Sequence, residues 1–344
     1  MNIQKFYAIL LLFVIVSCNS DDYGYIAPEF KQTLDRSVSI LNDEFIFSYS
    51  TYLTIVDSLL IAAFKTNSTT GYFHIFSKHT GEYLKSFSGI GHGPGELLNG
   101  SLSFSTDPVN KKLYVPKESN DSRVVVFDIS LAMEREFVPF EEIEANRSPG
   151  FMRGDLHFKD DIFLVAHKRE SFRYALVNSA SDTIATYYTY PVINEVDKNN
   201  EMNRIAYYGV NFYVNIKPDR TKLVSTTTTG LLMEIFDISN EKIELLYLWR
   251  YIKPSYEIRS GIVFSSGKDK GVGNFQVTDS YIYGIYFDEE DRSSNNIWVF
   301  DWEGVPVKRY QLDKNVYRIA IDEEAGFAYV QIHNDEPSIG RFSL

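Results

Sequence analysis

Arginine and tyrosine recur in long polar stretches of this chain, and together they have the chemistry of carboxylate, glycan or peptide recognition. A guanidinium grips carboxylates through paired hydrogen bonds, and a tyrosine offers a rigid face with one polar tip. Arg147 and Arg153 lie in one such stretch, Arg204, Tyr207 and Tyr208 in the next, and Tyr256, Arg259, Lys268 and Lys270 in a third. Upstream of them, Ser88-Gly89-Ile90-Gly91-His92-Gly93-Pro94-Gly95-Glu96 offers an imidazole and a carboxylate. Its glycines permit a tight backbone turn, but no Gly-Lys-Ser follows to make it a phosphate cradle. His92, Glu96, Arg153, Arg204, Tyr207 and Arg259 are therefore the candidate ligand contacts. Solvated loop charge is the alternative for each.

Catalytic patterns are missing. Six histidines are scattered without a His-Glu-x-x-His pair, and no Gly-x-Ser-x-Gly elbow occurs. Asp288-Glu289-Glu290-Asp291 lacks the alternating spacing of a calcium loop and reads as a solvated acidic turn. The sequence thus predicts no catalytic residue, no metal site and no cofactor. A net charge of −12 speaks against nucleic-acid binding, which calls for basic patches.

Cys18 is the only cysteine, so it cannot join an internal disulfide. It follows Lys5, an apolar run from Phe6 to Val16, and Ser17, which is the shape of an export signal too short to span a bilayer. Ile15-Val16-Ser17-Cys18 resembles a bacterial lipobox, with Ile15 where leucine is usual. The resemblance implies that the Cys18 sulfur carries a diacylglycerol and anchors an exported outer-membrane lipoprotein, facing the periplasm or the cell surface. Asn19-Ser20-Asp21-Asp22 resembles the acidic export tag of Bacteroidetes surface lipoproteins. A plain cleaved signal, with Cys18 incidental, is the alternative.

The elements that must position these side chains follow a repeat. Six apolar runs break at an aspartate and resume, at Asp57, Asp107, Asp160, Asp219, Asp279 and Asp322, spaced 50, 53, 59, 60 and 43 residues apart. Each is a strand, a turn and a strand, with aspartate suited to the turn because its carboxylate accepts backbone N–H groups. Third strands follow, as in Val124 to Asp128 and Ile297 to Asp301, and then fourth strands. Four strands at this period predict an all-β, six-bladed propeller of four-stranded antiparallel blades. Phe140 to Asn146 and Val192 to Arg204 are the only modest helix candidates.

The sixth repeat supplies three strands and stops. An N-terminal strand, Phe45 to Tyr49, is expected to close the ring by pairing into the last blade, since an open sheet edge is a liability. The expected boundaries are a signal at 1–17, an acidic tether at 18–33 and the propeller at 34–344.

Gly93-Pro94-Gly95-Glu96, the signal and the blade pattern together resemble TolB-like six-bladed lipoprotein propellers of Bacteroidetes, a group related to NHL-type propellers. The resemblance implies fold and compartment more than activity. In a propeller the fourth-to-first strand connections share one face, and here they are the long ones. That face is the expected site for a peptide, glycan or envelope-protein partner, with the membrane held through Cys18. His157, on a first strand, would line the central channel, where a histidine can bind metal, shuttle protons or fill a polar funnel. A hydrolase or lyase working in that funnel is the alternative, to be marked by three or more His, Asp or Glu converging there.

Overall fold

The computed structural model describes residues 24–344 apart from 44–51, 65–70, 90, 92, 94, 98–103, 118–122, 136–137, 145–156, 167–171, 181, 196, 210–211, 260–261, 266–269, 291 and 334–337. The chain enters through β1 (Gln32–Arg36) and β2 (Ser39–Asn42). Four blades follow: β3 (Tyr52–Val56), β4 (Leu59–Ala63), β5 (Phe73–Ser77) and β6 (Tyr83–Phe87); β7 (Ser105–Asp107), β8 (Lys112–Pro116), β9 (Arg123–Asp128) and β10 (Phe140–Glu144); β11 (His157–Lys159), β12 (Ile162–Ala166), β13 (Tyr174–Asn178) and β14 (Thr183–Tyr187); β15 (Phe212–Ile216), β16 (Lys222–Thr227), β17 (Leu231–Asp237) and β18 (Glu244–Ile252). A hairpin of β19 (Tyr256–Arg259) and β20 (Ile262–Ser265) leads to the fifth blade, β21 (Lys270–Val277), β22 (Ile282–Asp288), β23 (Ser293–Phe300) and β24 (Pro306–Leu312). The sixth has β25 (Val316–Asp322), β26 (Phe327–Ile332) and β27 (Ile339–Ser343). Two short helices, α1 (Ile129–Glu134) and α2 (Glu201–Tyr208), lie in connections. The propeller is six-bladed and its blades are antiparallel, as expected.

An N-terminal strand closes the ring. β2 pairs antiparallel with β27, Ser39 opposite Arg341, and completes the last blade. The closing residues are 39–42; the expected segment, Phe45 to Tyr49, lies outside the described residues. β1 adds a second clasp, running parallel to β24 as a fifth strand on the fifth blade. The chain meets the body before that. Ile26 donates its N–H to the Arg250 carbonyl at 2.9 Å, and the Phe30 ring lies 5.1 Å from Trp298.

Side-chain alternation explains the continuous apolar runs. In β4, Leu60 and Ala62 join the cluster between blades six and one, while Ile61 and Ala63 join the cluster between blades one and two. Both sheet faces are buried, so apolar residues dominate both instead of alternating with polar ones. Each blade-to-blade interface holds one such cluster.

The turn aspartates work in two ways. Asp107 Oδ1 accepts from Val109 N and Asn110 N, and Asp322 Oδ1 from Ala325 N, as their carboxylates suggested. Asp57 and Asp160 instead sit at φ 59° and 47°, left-handed backbone that Asp tolerates better than most residues. The helix expected over Phe140 to Asn146 is instead β10, a blade edge strand. Phe140 packs 5.5 Å from Phe127, and Glu142 faces out to Lys117 and Arg123. The second helix candidate forms later than expected, as α2, capped by Asn200 accepting from Asn203 N.

Candidate functional site

The six first strands surround a cavity of about 640 Å³ on the axis, and every blade contributes to its wall. Thr54 comes from blade one, Thr106 from blade two, His157 from blade three, Asn215 from blade four, Gln276 from blade five and Ala320 from blade six. These positions are near the C-terminal ends of the first strands, so the cavity opens among the turns joining first to second strands. Pro108–Asn110, Asp160, Pro218 and Arg220 form its mouth. The volume falls within the range of small-molecule sites. It opens on the face opposite the long connections.

His157 and Tyr114 form one wall, their rings stacked 4.0 Å apart at an interplanar angle of 3°. The His157 Nε2 lies 3.0 Å from the Asp160 carbonyl. A carbonyl can only accept, so Nε2 carries the proton and Nδ1 the lone pair in the neutral ring. Burial lowers the His157 pKa, against the opposing effect of that hydrogen bond, so the ring is neutral at neutral pH. Nδ1 and the Asn215 Oδ1 are buried acceptors with no hydrogen-bond partner among the described residues. Burial and the nearby Asp107 push the Tyr114 hydroxyl up to about 12, which rules it out as a base near neutrality.

Charge at the mouth is divided unequally. Burial raises the Asp107 pKa, but hydrogen bonds from the Asn110 side chain and backbone outweigh this and hold it below the usual carboxylate value. Its oxygens are thereby committed to the turn. Lys159 pairs with Glu241 at 2.8 Å. Arg220 and Lys112 make no ion pair among the described residues, although Arg220 reaches the His157 carbonyl at 3.4 Å. The mouth thus offers two cations, while His157 Nδ1 and Asn215 Oδ1 are shut from solvent within the wall. Asp107, His157 and Asp160 do converge here, but no group of three His, Cys, Asp or Glu is placed to hold a metal ion among the described residues.

The residues singled out from sequence lie elsewhere. His92, Arg147, Arg153, Lys268 and Cys18 are outside the described residues. Glu96 accepts from Gly93 N at 2.7 Å, and a Cβ on Gly91 would lie 2.2 Å from its Oε2, so the glycine loop wraps this carboxylate. Arg204 turns back to the Asp197 and Lys198 carbonyls at 2.7 and 3.0 Å. Tyr207 is buried and donates its hydroxyl to the Thr229 carbonyl. Arg204 and Tyr207 share α2, and Tyr207 meets Tyr256 of the hairpin at 4.5 Å. Lys270 is paired with Asp288 at 2.7 Å. Arg259 is exposed on the hairpin and paired with Glu257. Glu96, Arg204, Tyr207 and Tyr256 thus build the scaffold. Sequence reasoning missed Arg220, Asn215 and Lys112; for Asn215 the available signal was a polar residue inside an otherwise apolar first strand.

A family model described as TolB-like 6-blade propeller-like matches residues 29–324. The chain belongs to this TolB-like propeller family. Solved structures similar to this TolB-like chain include one from Bacteroides fragilis described as an exported protein, at 13% identity and a TM-score of 0.55, covering 90% of this chain and 98% of the other. Another is a member of the DUF4221 family from Bacteroides vulgatus, at 10% identity and 0.54, covering 92% and 96%. At such identities the likeness is one of fold. No curated protein matches the sequence.

Two buried histidines make this TolB-like propeller sensitive to mild acid. Burial holds His74, stacked 3.9 Å from Phe64, down to about 4, and lowers His157 as well. A histidine depressed on folding leaves stability intact above its unfolded value of about 6.5, and stability falls as pH drops from there toward the folded value. The depressed Asp107, Asp219 and Asp322 add a second loss below about 3.8. Chemical denaturation across this range is therefore expected to show stability declining from about pH 6.5. His74→Phe should flatten the upper part of that decline. An upper limb unaffected by that substitution would contradict the assignment to His74.

Proposed function

We propose that this protein is an exported, lipid-anchored propeller that binds a polar ligand in its axial funnel without transforming it. The observation that carries the reading is the funnel itself: an open-mouthed polar cavity built by all six blades, with Arg220 and Lys112 at its rim making no ion pair among the described residues. Guanidinium and ammonium groups suit an acidic group on the ligand. An acidic glycan end or a peptide carboxyl terminus meets that demand. The export signal, the Cys18 lipobox and the exported Bacteroides fragilis neighbour support the compartment.

The long-connection face is a weaker candidate, because Arg204, Tyr207 and Glu96 are engaged within the protein. A glycan and peptide array separates the two. Arg220→Asn keeps a residue that tolerates the φ of 63° while removing the cation. Loss of a charge-assisted hydrogen bond of about 1.5–3 kcal/mol should weaken the strongest array ligand roughly 10- to 100-fold. Undiminished binding would contradict the funnel reading.

A catalytic reading, a hydrolase or lyase acting in the funnel, rests on His157 beside Asp107 and Asp160. Against it, burial lowers His157 and raises Tyr114, and Asp107 is held ionised and tied into its turn. Turnover of an array ligand by wild type, abolished in His157→Asn, would establish it.

A further inference from the structure

We propose that the long-connection face, beside α2 and the β19–β20 hairpin, rests on the lipid bilayer, so that the axial funnel opens away from the membrane. This inference rests on the reading of Cys18 as the acylated anchor.

Chain geometry comes first. Tyr25 packs with Ile193, Tyr256 and Val263, and its hydroxyl donates to the Ile193 carbonyl at 3.2 Å. Ile193 lies in the connection after the third blade, and Ile26 is bonded to Arg250 near the end of β18. The chain therefore leaves the body on the long-connection face. Cys18 precedes Gly24 by six positions, which reach about 20 Å at full extension. β18, the edge strand beside the exit, has nine residues and spans about 30 Å. A six-residue leash cannot carry an acyl anchor past that edge to the opposite face.

An independent observation coincides with the exit. In β20, Val263 faces inward with Tyr25 and Tyr256, so its neighbours Ile262 and Phe264 must face out. They are 59% and 44% exposed, and Met202 on α2 is 63% exposed. Ile26, at the exit itself, is 61% exposed. Arg259 lies across the hairpin with its guanidinium 5.6 Å from the Phe264 ring. An aromatic ring beside a long cationic side chain suits the boundary between acyl chains and headgroups. The diacylglycerol on Cys18 supplies stable attachment, and a second apolar contact at the hairpin fixes orientation.

The test uses the full mature lipoprotein. With Cys18 blocked by its thioether, Phe264→Cys and Val109→Cys each introduce one free thiol. Val109 is 87% exposed on a turn at the funnel mouth. Both variants are labelled with bimane and reconstituted into phosphatidylethanolamine–phosphatidylglycerol vesicles containing a nitroxide-labelled lipid. The label at 264 is expected to lose most of its emission while the label at 109 keeps it. Quenching at 109 that equals or exceeds quenching at 264 would overturn the orientation. Intact mass of the amino-terminal peptide reads acylation separately. An acylated chain with an unquenched 264 label defeats the orientation alone, whereas an unacylated chain defeats the anchor and the orientation with it.

Discussion

Phe342→Ala is expected to destabilise the protein by about 3–5 kcal/mol, although the residue stands third from the carboxyl terminus. Such a position ordinarily tolerates change within about 0.5 kcal/mol. Here β27 is an interior strand, held between β26 and β2. Phe342 is buried with its ring 5.5 Å from Tyr310 of the fifth blade, in a cluster that includes Val38 from the N-terminal segment. Arg36 Nε donates to the Ser343 carbonyl at 2.8 Å, and Leu344 N donates to the Gly326 carbonyl at 3.0 Å. The two chain ends thus hold each other in register. Deleting Phe342–Leu344 removes all of these contacts and should cost more than the single substitution. At about 2–4 °C per kcal/mol, Phe342→Ala should lower the melting temperature by roughly 6–20 °C. An unchanged transition after the deletion would mean that the ring does not close through this strand.

Glu234→Gln should be comparably severe, at about 3–5 kcal/mol, for an electrostatic reason. Arg173 and Glu234 are both almost fully buried, and the guanidinium meets the carboxylate through two hydrogen bonds of 2.9 and 2.5 Å. Tyr174, Tyr190 and Tyr208 surround the guanidinium at 4.7, 5.4 and 4.4 Å. Burial opposes the charge on Arg173, but Glu234 and the tyrosine rings outweigh it, so the group stays firmly protonated. Removing the carboxylate charge leaves a buried cation with no other ion-pair partner among the described residues. Replacing both partners by apolar residues, as in Arg173→Met with Glu234→Leu, leaves no stranded charge and should be much less damaging. Urea denaturation of the single and double variants measures this coupling. A double variant as unstable as Glu234→Gln would show that the pair matters through packing rather than charge.

The fold was largely legible because its core repeats. Leu59 to Phe64 and Phe327 to Ile332 read as buried strands since both faces of each sheet meet a neighbouring blade. The aspartates marked where those strands turn. What escaped was non-local or modest in composition. β1, Gln-Thr-Leu-Asp-Arg, carries little apolar pattern, and its parallel pairing with Lys308 to Leu312 joins residues nearly three hundred positions apart. The β19–β20 hairpin was hidden in what read as one long connection. The functional surface was less legible still. Tyr207 and Arg204 have recognition chemistry as residue types, but α2 turns them into the body. Arg220 sits in a turn and gains meaning only when the ring brings it beside His157.

Hydrogen exchange with and without the strongest array ligand tests the central claim most directly, because the two faces of the propeller are made of different peptides. The funnel account predicts slowed exchange in 105–114, 157–160 and 215–220, with 192–208 and 256–265 unchanged. Protection confined to 192–208 and 256–265 would place the ligand on the long-connection face and contradict the account.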